Sequence, residues 1–589
     1  GFEITLHDKM PDVVLYREDK NWIYFVESVT SVGPMDPKRI LEIEELTKNV
    51  SAGKIYVTAF LDFKTYKKFA EDIKAMVEAL ISIDANRIAV IGNNRYEWCV
   101  TYLGTETAGK VIVPLDKALT DIEIEKLLKR SQVDVVVYEK KYTDAIKNAI
   151  DDGLQIKHKI CMDEATEEDE INFANFINKG KKIAKSNKRK YNKVTINNKD
   201  MYIMLFTSGT TNEPKAVMLS QTNICSNISA IAKHVKLYKT DTLLSFLPIH
   251  HTFECTITFL YGTYSGATIA FCEGLRHIAD NLKEFQVSVF VAVPLVLETM
   301  YKKIQKGIEN SGKEKLINKL KSFSSFLLKH HIDARKFLFK AVLKQFDEYL
   351  RVVLYGAAPM NKETIEGYNA LGIDLIQGYG LTETSPVITA ETDERKRPGS
   401  VGLPLCNIEV KIEGKDKDGV GEIVAKGPSI MLGYYENKEA TKKVLRKGWF
   451  YTGDYGYIDK DGFVYVTGRK SDIIVLRNGK NIYPQELEFL INKINYIDES
   501  LVYARDKDIT DTLLCAKIVY NKDLIEKELG NKTEDEYKQL IWKQIKEINK
   551  NLPTYKHIKE IVITDEPLDK TTTHKVKRYQ EINKMEKIK

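Results

Sequence analysis

From Phe63 onward, segments with helical spacing alternate with short runs of β-branched residues, and nothing else in the sequence constrains the fold as strongly. TYKKFAEDIKAMVEALISI repeats apolar residues at helical spacing. RIAVIG and VIVPL are apolar runs of strand length, separated by a helical stretch, NRYEWCVTYLGTETAG, and VDVVVYE (133–139) is a third such run. Strands alternating with helices predict parallel βαβ units and a doubly wound α/β sheet. YIMLF (202–206), VSVFVAVP (287–294) and RVVLYG continue the rhythm. Residues 301–350 interrupt it and read as two or three amphipathic helices, an insert within the larger fold. From about residue 400, IEVKI, GEIVAKG and GFVYVTG look like short antiparallel strands with Gly/Asp turns, a small β-barrel-like part. After Arg469 the texture becomes compact α+β and ends in a lysine-rich tail, which sets a domain boundary there. Residues 1–50 give no clear fold signal, and no internal repeat is visible.

A chain of 589 residues with 43% hydrophobic and 29% charged residues is globular. Its net charge of +6 is mild for that size and calls for no nucleic-acid partner. The basic run GKKIAKSNKRKYNK, just before YIMLF, reads as a solvated linker. Seven scattered cysteines with no CxxC pair argue against a disulfide framework or a structural zinc, and fit a reducing, cytoplasmic compartment. The opening GFEITLHDKMPDVV has no basic segment leading into an apolar run, so no signal peptide is expected. Cys255 to Cys272 is uncharged over the length of a short membrane helix, but its glycines and Thr/Ser residues favour a buried helix–turn–strand.

Three segments carry chemistry. TSGTTNEPK follows YIMLF and is not a Walker A loop, since no G-x4-G-K-[ST] occurs in the chain. Gly209 permits a tight turn whose N–H groups can face an anion; Thr207, Ser208, Thr210 and Thr211 add hydroxyls, and Lys215 adds a positive charge. On composition alone, a polar surface loop explains this segment equally well. GYGLTET sets Tyr379 between Gly378 and Gly380, where the ring could lie flat on a base. Thr382 and Glu383 follow, a hydroxyl for a phosphate and a carboxylate for a divalent cation. Upstream, Gly356, Ala357 and Ala358 leave a strand end almost bare of side chains. YTGD is expected to end a strand with Asp454, a carboxylate able to chelate a ribose diol.

In this order the segments resemble the adenylate-forming superfamily, and most closely its AMP-forming long-chain acyl-CoA synthetases, over nearly the whole chain. LPIHHTFE (247–254) resembles that family's acyl-site segment, and TGRKSDIIVLRNGKNIYPQELE its hinge and first C-terminal loop. KTTTHKVKR, Lys570 to Arg578, resembles its catalytic-lysine segment. The resemblance implies a large region, 1–468, holding the ATP and acyl sites and carrying the 301–350 insert. It also implies a hinge at 469–472 and a small mobile α+β domain at 473–589.

Residue by residue, the resemblance implies that Thr207 to Thr211 and Lys215 hold the β- and γ-phosphates. Tyr379 stacks on adenine against Gly356, Ala357 and Ala358; Thr382 meets the α-phosphate and Glu383 holds magnesium. Asp454 and Arg469 take the ribose hydroxyls, and Lys575 bridges ribose and the reacting carboxylate. Gly479, Lys480 and Asn481 line a pantetheine tunnel, and His251 lines the acyl site without transferring protons. As a residue type, the pair His250-His251 reads first as packed core. Two positions depart from the family pattern. His574 replaces the usual Gly before the lysine, and Ser471 stands where relatives often carry Asp or Lys, leaving the hinge residue open. The implied reaction is activation of a fatty acid by ATP and Mg2+ to acyl-AMP, then transfer to coenzyme A, with the insert pointing to a long chain. Alternatives are loading of a carrier protein, an aryl or medium-chain CoA ligase, and a non-catalytic ATP-binding regulator. Residues 301–350 carry twelve Lys/Arg against five Asp/Glu, either a solvated face or a surface for peripheral contact with an anionic membrane.

Overall fold

The computed structural model describes residues 13–17, 22–28, 53–59, 63–165, 168–186, 191–207, 214–346, 349–356, 358, 360–476, 481–506, 512–570 and 576–587. Two large sheets dominate. The first has eight strands in the order Gly433–Tyr434, Lys215–Ser220, Met201–Thr207, Val111–Pro114, Arg87–Ile91, Val135–Tyr138, His158–Cys161 and Glu170–Asn172. From Met201–Thr207 to Glu170–Asn172 the pairs are parallel, and the strand order departs from chain order as in a doubly wound fold. Ile88 to Ile91 and Val135–Tyr138 are buried throughout. Strands covered on both faces must be apolar throughout, which is why these runs lack polar alternation.

The second sheet runs Thr268–Phe271, Thr242–Ser245, Val289–Ala292, Val352–Tyr355, Asp374–Gly380, Val387–Ala390 and Leu403–Pro404. Its first five strands are parallel and its last two antiparallel. A core of Trp98, Ile112, Leu205, Phe259, Val291 and Ile376, among others, is shared by both sheets. Helices cover them. Phe63–Ser82 meets Phe173–Lys185 so closely that a Cβ on Gly180 would lie 1.9 Å from the Ala75 carbonyl oxygen, so only glycine fits there.

The insert resolves into two long helices, Pro294–Asn310 and Glu314–Lys329, and two short ones, Arg335–Leu338 and Lys340–Phe346. Beyond the second sheet lies an antiparallel sheet of Glu409–Glu413, Gly421–Lys426, Trp449–Ile458 and Leu445–Arg446, with Val464–Arg469 paired to Trp449–Ile458. YTGD does not end a strand as expected. It lies inside Trp449–Ile458, where Gly453 at φ 72° kinks the chain and pairing with Val464–Arg469 carries the strand on. After residue 470 come a two-stranded ribbon and the three-stranded sheet Ile497–Asp506, Thr512–Tyr520, Glu560–Thr564. Its core of Leu487, Ile518, Ile541, Ile545 and neighbours is separate from the other clusters. Near the start, Val13–Arg17, Trp22–Ser28 and Gly53–Ala59 form a small sheet that the sequence pattern did not announce. The seven cysteines are free thiols. Among the described residues no helix is long and apolar enough to cross a membrane.

Candidate active site

Side-chain contacts link three of the segments singled out in the sequence: the one ending in Lys215, GYGLTET and YTGD. Met201–Thr207 and Lys215–Ser220 form a hairpin in which Thr207 pairs with Lys215 across the base. Ser208, Gly209, Thr210 and Thr211, in the connection, lie outside the described residues. Tyr434, from the strand next to Lys215–Ser220, lies under the Lys215 ammonium, 5.2 Å from ring centre to Nζ. The Tyr434 hydroxyl donates to Glu383 Oε1 at 2.8 Å. Burial and Glu383 both push the Tyr434 phenol above its ordinary range, so it stays a donor. Lys215, Tyr434 and Glu383 thus form a cation–aromatic–carboxylate stack between the phosphate-loop candidate and the GLTET turn.

That turn is tightly held. Asp374–Gly380 runs into a short 3₁₀ turn, Thr382–Thr384, and a Cβ on Gly380 would sit 1.8 Å from the Pro386 carbonyl oxygen. Leu381 N–H donates to Thr384 Oγ1 at 2.9 Å, and Met431 N–H to the Glu383 carbonyl at 2.9 Å. Two buried amides on the helix Gln221–His234 clamp the surroundings. Asn223 Nδ2 donates to the Pro428 and Ile430 carbonyls at 2.7 and 2.8 Å, and Asn227 Nδ2 to Val387 at 2.7 Å. Tyr434, Asn223 and Asn227 escaped the sequence reading because they are single polar residues in apolar surroundings, with no spacing to mark them.

A second cluster lies alongside. The Tyr379 hydroxyl donates to Asp454 Oδ2 at 2.7 Å, and Arg469 Nε lies 2.9 Å from Asp454 Oδ1. Asp454 and Arg469 are register partners on adjacent strands, which places both side chains on one face. Burial works against the Arg469 charge, but Asp454, Tyr379 and Glu383 together hold its pKa above the usual arginine value. Gly356 packs so close to Gly378 that a Cβ there would come within 2.8 Å of the Gly378 oxygen, and Ala358 is exposed beside it. Tyr379, Asp454, Arg469, Gly356 and Glu383 are therefore brought together; Ala357 lies outside the described residues. So do Lys575, Gly479, Lys480 and the side chain of Asn481. Next to the Arg469 strand end, Lys470–Asp472 forms one 3₁₀ turn, with Asp472 accepting from Gln485 Nε2 at 2.7 Å and facing Arg578 at 3.8 Å.

The His250–His251 segment is fixed from the first sheet. Asn94 Nδ2 donates to Ser245 Oγ at 2.9 Å and to the Leu247 carbonyl at 2.7 Å, while its Oδ1 accepts from Ile249 N–H at 3.2 Å. Ser245 Oγ donates in turn to Glu254 Oε1 at 2.7 Å, and Thr258 Oγ1 donates to Oε2 at 3.0 Å. Glu254 is wholly buried at the start of a π-helical turn, Glu254–Tyr261, and burial raises its pKa to about 8. His250 is pushed down to about 3 by burial and by His251, against the pull of Asp116 at 3.5 Å. His250 is thus neutral at physiological pH, a packed side chain rather than a proton carrier.

Comparison with known proteins places this arrangement. A family model described as AMP-binding enzyme matches residues 49–435, and one described as AMP-binding enzyme C-terminal domain matches 471–588. A BsuBI/PstI restriction endonuclease domain model matches residues 1–94, and its described part from Phe63 on contributes a helix and the strand Arg87–Ile91 to the first large sheet. Among curated proteins, the chain is 26% identical to a chloroplastic long-chain-fatty-acid–[acyl-carrier-protein] ligase of Arabidopsis thaliana, over 87% of this chain and 80% of that one. It is also 26% identical to a long-chain-fatty-acid–CoA ligase of Yersinia pestis, over 83% and 87%. Among solved structures, an anthranilate CoA ligase with anthranoyl-AMP superposes with TM-score 0.71 at 19% identity, over 88% and 92% of the two chains. ATP-bound MatB from Rhodopseudomonas palustris gives 0.68 at 21%, over 88% and 93%. The likeness to these two structures is one of fold.

Proposed function

The chain belongs to the AMP-binding enzyme family, and on that premise we propose that it is an AMP-forming ligase that activates long-chain fatty acids and passes them to coenzyme A. The observation that carries this reading is the meeting of Lys215–Tyr434–Glu383 with Tyr379–Asp454–Arg469. One cluster suits a polyphosphate and the other a base and its ribose. The length of the insert and the names of the two curated relatives support a long acyl chain.

A carboxylate resists attack at its carbon because its charge is delocalised and oxide leaves poorly. Its oxygen instead attacks the α-phosphorus of ATP; the bond to the bridging oxygen breaks and pyrophosphate departs, leaving an acyl-AMP anhydride. No side-chain nucleophile is needed, so catalysis is positioning and charge neutralisation. Thr207 to Thr211 and Lys215 receive the outer phosphates, and Thr382 the α-phosphate. Asp454 and Arg469, paired on adjacent strands, take the ribose hydroxyls. The Tyr379 ring, anchored through its hydroxyl, presents a face to adenine against Gly356 to Ala358. Magnesium would be held by Glu383; a lone carboxylate fits this ion, which keeps its waters and binds phosphate oxygens. In the second step the thiol of coenzyme A attacks the acyl carbon and AMP leaves. Residues 473–589 turn about 469–472 between the steps, taking Lys575 away and bringing Gly479 to Asn481 in. His251, whose ring packs against that of His250, is the residue we assign to the acyl chain.

Pyrophosphate release over a panel of acids, with and without coenzyme A, tests this. The kcat/KM should rise steeply from acetate to chains of about twelve carbons, since each buried CH₂ contributes roughly 0.8 kcal/mol. A flat profile or a preference for aromatic acids would refute the long-chain assignment. The relative named for acyl-carrier-protein ligation favours one second reading, in which the acceptor is a carrier-protein thiol. AMP release that requires carrier protein and ignores coenzyme A would establish it.

A further inference from the structure

The helix Glu314–Lys329 carries two apolar stripes. Ile317 and Ser324 are buried and, with Leu320, pack toward Phe339 and Leu343 in the core beneath the second sheet. Leu316, Phe323 and Phe326 recur at spacings of seven and three on a different face and look outward. Phe323 is 49% exposed and Phe326 57%, and just past the helix in the chain Ile332 is 54% and Phe337 83% exposed. Phe323, Phe326 and Phe337 are the phenylalanines that stand exposed among the residues whose side chains are described. Exposed side chains of this size, gathered in one place, mark a surface that meets an apolar phase.

The charge around them is one-sided. Residues 314–340 hold seven Lys/Arg against Glu314 and Asp333, a local +5, with Lys315, Lys319 and Lys329 exposed on the same helix. We propose that this face of the insert docks on an anionic lipid bilayer, the phenylalanines entering the headgroup boundary and the lysines meeting lipid phosphates. A second copy fits poorly, because a two-fold contact would set +5 against +5. A polyanion alone would leave the phenylalanines uncovered. The inference rests on the surface and not on the proposed reaction, and its assay contains neither ATP nor acid.

The test is co-flotation of the full chain with vesicles of phosphatidylcholine, alone or mixed with phosphatidylglycerol. Binding should require the anionic lipid and fall with salt. Each lysine near such a surface contributes about fivefold to partitioning, so K315E/K319E/K329E should lose roughly two orders of magnitude. F323S/F326S/F337S should lose about tenfold or more even at low salt. Because the two variants alter different side chains, misfolding of one leaves the other as the test, with an unchanged melting temperature as the control. Equal binding to neutral and anionic vesicles, or wild-type binding by a folded variant, would overturn the proposal. So would self-association in sedimentation velocity, without lipid, that F323S/F326S/F337S abolishes.

Discussion

Glu254→Gln isolates the cost of the buried carboxyl that sits behind the His250–His251 segment. Glu254 is fully buried and accepts from Ser245 and Thr258, yet burial dominates and lifts its pKa from 4.5 to about 8. In the window between those values the native protein keeps the proton and the unfolded chain releases it. Stability from this group is therefore full below pH 4.5 and lost as pH rises toward 8, after which both states are ionised. Between pH 6 and 8 the loss is about 2 kcal/mol, from roughly 1.4 kcal/mol per pH unit with the native group half-ionised at the upper end. Glutamine does not titrate, and it preserves the contacts by accepting from Ser245 through oxygen and donating to Thr258 through nitrogen. Glu106, also raised to about 8 by burial, contributes the same slope to both proteins and cancels. The Cys99 and Cys255 thiols beside it are pushed well above 9 and do not titrate there. Urea unfolding at pH 6, 7 and 8 should show E254Q gaining about 2 kcal/mol relative to wild type across the series. Parallel stability curves would mean that Glu254 is ionised in the native protein and that its two hydroxyl donors outweigh burial, refuting the reasoning.

Asp454→Asn removes the charge shared by Tyr379 and Arg469 and should raise KM for ATP about tenfold to hundredfold, read from initial rates of pyrophosphate release. Gly380→Ala places a methyl 1.8 Å from a backbone oxygen; a thermal melt should show it destabilised by roughly 1–3 kcal/mol, with adenylation lost through displacement of Thr382 and Glu383. Lys575→Ala should slow acyl-AMP formation about 10²–10³-fold yet leave thioester formation from supplied acyl-AMP nearly intact, with both half-reactions measured on one preparation. Equal loss in both would assign the lysine a shared role.

Features that depend on local pattern can be read along the chain. Apolar runs such as VDVVVYE and RVVLYG can be satisfied only between layers of helices, so the doubly wound architecture was legible before any contact was known. The Gly-Tyr-Gly and Thr-Glu pairing in GYGLTET was legible for the same reason, because backbone freedom and donor type are properties of neighbouring residues. Pairings across long separations belong to the tertiary structure. Tyr434 reaches Glu383 across 51 residues, Tyr379 reaches Asp454 across 75, and Asn94 reaches Ser245 across 151. Nothing local at Tyr434 or Asn94 distinguishes it from other polar residues, and only strand order brings their partners near. The YTGD segment shows the same limit: a glycine kink read as a strand end becomes a bend within one, because the following strand turns back to pair with it. The two faces of the insert divide likewise. Periodicity announces an amphipathic helix, but which stripe of Glu314–Lys329 is buried depends on where Phe339 and Leu343 arrive, and that is decided by packing alone.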